Sequence, residues 1–170
     1  QNVLADPNRS AAEKRNALRW IIHLIADLHQ PLHVTEAQWR GYNGCMVKFF
    51  SPNAVTSLHT VWDSKLIDYQ KLSYSEWARW VQADTVPIKE NVELAEWAKE
   101  SYDLGAKIIP GDPKKYCKLQ KNARISRSDM PFLGWKYIYD VTPILKERLY
   151  KAGVRLALVL EESRNNVPVS

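Results

Sequence analysis

Residues 18–33 read LRWIIHLIADLHQPLH, and no other stretch narrows the fold of this 170-residue chain as much. Leu18, Ile21, Ile22, Ile25 and Leu28 recur at three- and four-residue spacing. At about 100° per residue they fall within about 120° of one another, the width of a stripe that one helix face buries. The spacing therefore predicts a helix packed along that stripe. Ser10 followed by Glu13 is a capping-box pattern that starts it, so the helix is expected over about 11–30. Pro31 ends or bends it, because proline carries no backbone N–H and restricts the residue before it.

The same stretch holds three of the four histidines of the protein. His23 and Asp27 stand four residues apart, so they project from one face a turn above one another, on the side away from the apolar stripe. An imidazole and a carboxylate aligned in this way are explained by a shared cation. His29 falls on the apolar side and is read as packed or as supporting a ligand, ahead of direct ligation. His33, after Pro31, is carried off the helical register into the following loop, where it can reach a second metal.

His59 and Asp63, in HTVWD, repeat the four-residue spacing of His23 and Asp27. One such pair is commonly a surface hydrogen bond. Two pairs, with all four histidines close to carboxylates within 37 residues, point to a multinuclear metal site. Imidazole and carboxylate ligands without cysteine suit catalytic zinc, which keeps positions open for water and substrate.

Further along, VTEAQWRGYNG at 34–44 mixes helix breakers with turn formers, and CMVKFF at 45–50 reads as a short strand closed by Pro52 and Asn53. A second helix is expected over about 57–70, with Leu58, Val61, Trp62, Leu66 and Tyr69 on its apolar side. SEWARWVQAD at 75–84 follows. A longer helix is expected from about Pro87 to Ile108, with Val92, Ala95, Ala98 and Tyr102 in helical register, stopped by Pro110 and Gly111. Six basic residues and no acidic one lie between Lys114 and Arg127; the segment reads as a solvated loop ahead of a phosphate-tracking surface. Thr142 and Pro143 have the chemistry of an N-cap and first helical position. A last helix with Leu145, Leu149, Ala152, Leu156 and Val159 inward is expected to close the core.

With 45% apolar residues the chain has ample material for a core, and the pattern is that of one mostly helical domain over 1–170. The longest aliphatic run, LALVL at 156–160, is far short of a membrane span. A net charge of +5 favours an anionic partner without naming it. Seven tryptophans and eight tyrosines serve packing or, in the sharper reading, base stacking. Cys45 and Cys117 fit one disulfide or two buried thiols equally well.

HLIADLHQPLH followed by SLHTVWD resembles the S1/P1 family of zinc-dependent, single-strand-specific nucleases and 3′-nucleotidases. WAKES at 97–101 and KAGVRLALVL at 151–160 are similar to that family too. The resemblance implies an all-α fold of the phospholipase C/P1 nuclease kind, here with a short strand or hairpin near 45–50. It implies His23, Asp27, His33, His59 and Asp63 as metal ligands, with Asp27 bridging two of three zinc ions and Asp63 the carboxylate of the more separate one. These two aspartates would stand at the reacting centre, and His29 stays outside the ligand set. Asn43 matches a substrate-contacting asparagine of the family, although the glycine pair before it is Gly41 and Tyr42 here. Ser57 stands where the family has asparagine.

The activity implied is metal-assisted hydrolysis of phosphoesters in single-stranded DNA and RNA or in 3′-nucleotides, giving 5′-nucleotides, in a secreted or periplasmic protein without a membrane span. Members of the family also take ligands from an N-terminal tryptophan and an upstream segment, and this chain begins at Gln1 with none of them. An upstream segment of the same protein is therefore expected to complete the cluster of three zincs, and the 170 residues alone are expected to be inactive. Two rivals remain. A zinc phospholipase C shares the fold type, although the ligand at the position of Asp63 is usually glutamate there. A non-catalytic, zinc-stabilised nucleic-acid-binding fragment would need fewer ligands.

Overall fold

A computed structural model describes residues 2–35, 37–82, 87–88, 92–118 and 124–165. The chain is mainly helical with one small sheet. After a single turn, α1 (Asn2–Ala5), comes α2 (Ala11–His29). Its capping box forms as expected: the Ser10 hydroxyl accepts the Glu13 N–H, and the Glu13 carboxylate accepts the Ser10 N–H at 2.9 Å. The Ser10 hydrogen bonds hold the Glu13 carboxyl down at about 2.

Two 3-10 turns follow, Pro31–His33 and Ala37–Tyr42. The expected strand is the first arm of a hairpin. β1 (Met46–Phe49) runs antiparallel to β2 (Val55–Ser57), with Val47 opposite Thr56. A two-residue strand, β3 (Phe132–Leu133), adds on the other side in parallel. Cys45 and Cys117 form a disulfide that ties the hairpin to the end of a short helix, α7 (Pro113–Tyr116).

The second expected helix is present as α3 (Leu58–Thr60), a π-helical turn (Val61–Lys65) and α4 (Leu66–Tyr69). Ser57 caps it, its hydroxyl accepting the Thr60 N–H at 3.0 Å. α5 spans Tyr74–Gln82, and the rest of the expected 75–84 segment lies outside the described residues.

Two helices differ from the sequence expectation. α6 starts at Leu94 rather than at Pro87 and runs to Ile108. It buries Trp97, Ser101, Gly105 and Ile108, whereas Ala95 and Tyr102, two residues of the register read from the sequence, are exposed. Trp97 is 2% exposed, and burying so large a ring sets the inward face of the helix. α8 (Trp135–Asn165) starts ahead of Thr142 and carries Pro143 within it. An interior proline costs about 3 kcal/mol. Ile138, Val141 and Leu145 continue one buried row across it and offset that cost, and the Thr142 hydroxyl turns back to the Ile138 carbonyl at 2.6 Å.

The main core gathers Leu32, Val47, Leu58, Trp62, Leu66 and Leu145 between the sheet, α3–α4 and the first half of α8. A smaller one joins Ile25, Trp97 and Val159 where α2, α6 and α8 meet. Of the predicted stripe on α2, Ile25 is buried and Ile22 is 44% exposed. Among the described residues no helix is long and apolar enough to cross a membrane.

Candidate metal centre

The end of α2 and the start of the next helix make the site between them. Gln30, extended before Pro31, caps the 3-10 turn: its side-chain oxygen accepts the Leu32 N–H at 2.5 Å. That turn swings His33 back over Asp27, with Nδ1 3.3 Å from Oδ1 of Asp27. His33 Nε2 lies 3.1 Å from Oδ1 of Asp63, and His59 Nε2 lies 2.9 Å from Oδ2 of the same carboxylate. The two imidazoles are stacked, with centroids 4.9 Å apart. Asp63 sits on the π-helical turn, a local geometry often found at functional sites.

His33, His59 and Asp63 each present one ligand atom within 4.8 Å of the others. The hydrogen-bonding balance of the group fits a cation. His59 Nδ1 is 2.6 Å from the Gly41 carbonyl, which only accepts, so Nδ1 carries the proton and the lone pair of a neutral ring lies on Nε2. That lone pair faces a carboxylate oxygen. His33 has a carboxylate at each nitrogen, and a neutral ring can donate to only one. Lone pairs directed at one another in this way can be balanced by a proton or by a metal ion, and a backbone carbonyl that orients the ring is the usual support for a ligand histidine. Gly41 is required for this approach: its φ is +63°, and a Cβ there would come within 3.1 Å of the Leu32 carbonyl and 3.2 Å of His59 Nδ1.

His23 is placed one turn back on α2, its Nε2 3.4 Å from Oδ2 of Asp27, with the imidazole 60% exposed. Both line the same cleft of about 450 Å³ as the three converging residues. Its far wall is apolar, from Trp62, Ile67, Leu145 and Leu149. Asn43 does not line the cleft; its amide donates to the Arg40 carbonyl at 3.1 Å. Gln30 was not singled out in the sequence. It donates to Oδ1 of Asp63 at 2.8 Å while capping the turn that carries His33. The only sequence signal is a capping-type side chain immediately before Pro31.

His29 goes to the other face. It is 2% exposed, and Arg155 donates to its Nε2 at 3.0 Å, so the ring proton is on Nδ1, which donates to the Ile25 carbonyl at 2.7 Å. Burial pushes this imidazole down to about 4, and the hydrogen bond to Ile25 only partly opposes it. Arg155 also holds both oxygens of Glu100, at 2.8 Å each, and lies over the Trp97 ring. Arg148, 3% exposed, donates to Glu100, Glu147 and Ser101. Burial opposes ionisation of Glu100, but hydrogen bonds from Arg155, Arg148 and Lys151 hold its carboxyl down at about 2.

Comparison with known proteins gives a match to the family model described as S1/P1 Nuclease over residues 1–165. Nuclease S1 of Aspergillus oryzae is 28% identical over 169 residues, which cover 94% of this chain and 57% of that protein. Endonuclease 2 of Arabidopsis thaliana is 28% identical over 159 residues, 92% of this chain and 54% of the relative. Endonuclease 4 of the same plant is 29% identical over 170 residues, 89% and 52%. The chain spans about half the length of these relatives.

Proposed function

The chain belongs to the S1/P1 nuclease family, and from that premise we propose that its cleft serves zinc-dependent hydrolysis of phosphoester bonds in single-stranded nucleic acid and 3′-nucleotides, with 5′-phosphorylated products. The observation that carries the reading is the convergence of His33 and His59 on the two oxygens of Asp63. These three residues would hold one zinc, a catalytic-type set with positions left open. With zinc bound, the site would have the means to activate a water and to neutralise phosphate oxygens.

The chain's own groups prepare the site for this. Gly41 fixes the ring of His59, and Gln30 fixes Asp63 against His33. His23 and Asp27 stand beside them as two of the ligands for further zincs, and residues from another segment of the whole protein would complete that part of the cluster. Trp62, Ile67, Leu145 and Leu149 offer an apolar wall to a sugar and an unstacked base, which a duplex does not present together. The Cys45–Cys117 disulfide supports a secreted or periplasmic location.

The test is nucleotide release by the zinc-loaded whole protein from single-stranded and duplex DNA, beside a choline-phospholipid assay. The expected result is release from the single strand alone. Phospholipid hydrolysis without nucleotide release would transfer the cleft to a phospholipase C reading.

A further inference from the structure

One row of aromatic side chains is not used by the metal centre. Trp135, at the start of α8, is 73% exposed, yet its orientation is fixed. Phe50 and Tyr69 stand nearly perpendicular to it, at 5.3 and 5.5 Å between centroids and 85° and 76° between planes. Those two are stacked on each other at 4.4 Å and 9°. Phe50 reaches this position from a left-handed backbone, φ 56°, a conformation that a bulky residue adopts rarely. One turn further on, Tyr139 is 81% exposed. Between them and Trp80 runs a groove of about 640 Å³, also edged by Tyr69 and Thr142. The Lys146 ammonium lies 4.6 Å from the Trp80 ring centre, so a cation stands beside the groove, while Lys136 is paired at 2.8 Å with Asp140, a carboxylate of the groove.

The groove and the cleft are separate hollows that share two elements. α8 gives Leu145 and Leu149 to the cleft and Trp135, Tyr139 and Thr142 to the groove, and α4 gives Ile67 to one and Tyr69 to the other. Along α8, Tyr139 lies about 9 Å from Leu145 at 1.5 Å per residue. That is room for two or three nucleotides stacked at about 3.4 Å. An open aromatic face held in place, as at Trp135, with a second exposed ring one turn away at Tyr139 and an amine nearby, is what unpaired bases stack on, whatever their sequence.

We infer that the Tyr69–Trp80–Trp135–Tyr139 groove is an extended subsite that stacks unpaired nucleobases of a strand whose scissile phosphate lies at the metal centre. This rests on the proposed nuclease reading. The subsite gives longer strands an affinity that dinucleotides lack.

The test measures anisotropy of labelled, hydrolysis-resistant phosphorothioate strands with the zinc-loaded protein. It uses a thymidine dinucleotide, a thymidine dodecamer and a dodecamer of abasic residues. Wild-type protein is compared with Trp135→Ala and Tyr139→Ala, each checked for unchanged circular dichroism. The expected result is about tenfold weaker binding of the thymidine dodecamer by either variant. Dinucleotide binding and abasic-strand binding stay as in wild type. If both variants hold the dodecamer as wild type does, the subsite is overturned while the metal-centre reading stands. Equal loss on the abasic strand overturns base stacking. A wild-type dimer that Trp135→Ala dissociates assigns the face to a second copy and overturns the proposal. Failure of wild type to bind any strand overturns the nuclease reading itself.

Discussion

The two faces of α2 treat histidine in opposite ways. On one, His29 is enclosed, donating to Ile25 and accepting from Arg155, whose charge is met by Glu100. On the other, His23, His33 and His59 meet carboxylates, and a neutral ring among them has a proton for only one of its nitrogens. The first arrangement is complete within the protein; the second, with its rings neutral, leaves lone pairs that the proposed zinc would take up. A histidine therefore declares its role less by its neighbours in sequence than by whether the folded protein satisfies both of its nitrogens.

The most damaging way to break the comparison is on the closed side. Arg155→Met leaves the Nε2 of His29 without its donor and removes the bidentate partner of Glu100. The expected loss is about 3–5 kcal/mol of unfolding free energy in a urea titration. A loss below 1 kcal/mol would mean that the buried network does not hold α2 to α8.

Acid sharpens the contrast next. The folded pKa of His29, about 4, lies below the ordinary value of 6.5, so the unfolded chain binds a proton that the native state refuses. Stability contributed by the neutral ring is full above pH 6.5 and falls as the pH drops towards 4, by up to roughly 3 kcal/mol. Glu100, held at about 2, still contributes across that window, since its loss begins only below about 4.5. Unfolding followed from pH 8 to 4 should show this slope in the wild type and a flatter one in His29→Asn. Equal slopes would place the acid sensitivity elsewhere.

A smaller effect is expected on the open side. Gly41→Ala strains a left-handed position and presses on His59 Nδ1. It should cost about 1–2 kcal/mol in stability. Zinc affinity, read by competition with a chromophoric chelator, should weaken by about 10-fold because the carbonyl that orients His59 is displaced. Unchanged affinity would detach the Gly41 contact from the site.

How much of this was legible in the sequence follows from what each feature depends on. The cap and apolar side of α2 are local, so Ser10, Glu13 and Ile25 could be read directly; Ile22, on the same stripe, is exposed because its neighbours are set by tertiary packing. The His59–Asp63 pair was visible because four-residue spacing survives a π-helical turn well enough to keep both groups together. Gln30 and Gly41 support the site through backbone and side-chain contacts made across the fold, which periodicity does not encode. Arg148 and Arg155 lie on the buried side of α8 because Glu100 meets them from α6. Pro143 suggested a helix start, and continuous packing on either side overrode it.

The central claim is that His33, His59 and Asp63 make a metal centre, and elemental analysis after extensive dialysis tests it most directly. The 170-residue chain is expected to keep one zinc per molecule. Asp63→Asn is expected to keep none, with circular dichroism unchanged because its side chain is 39% exposed and nearly isosteric. A folded Asp63→Asn protein that retains the wild-type zinc, or a folded wild type that retains none, would contradict the account.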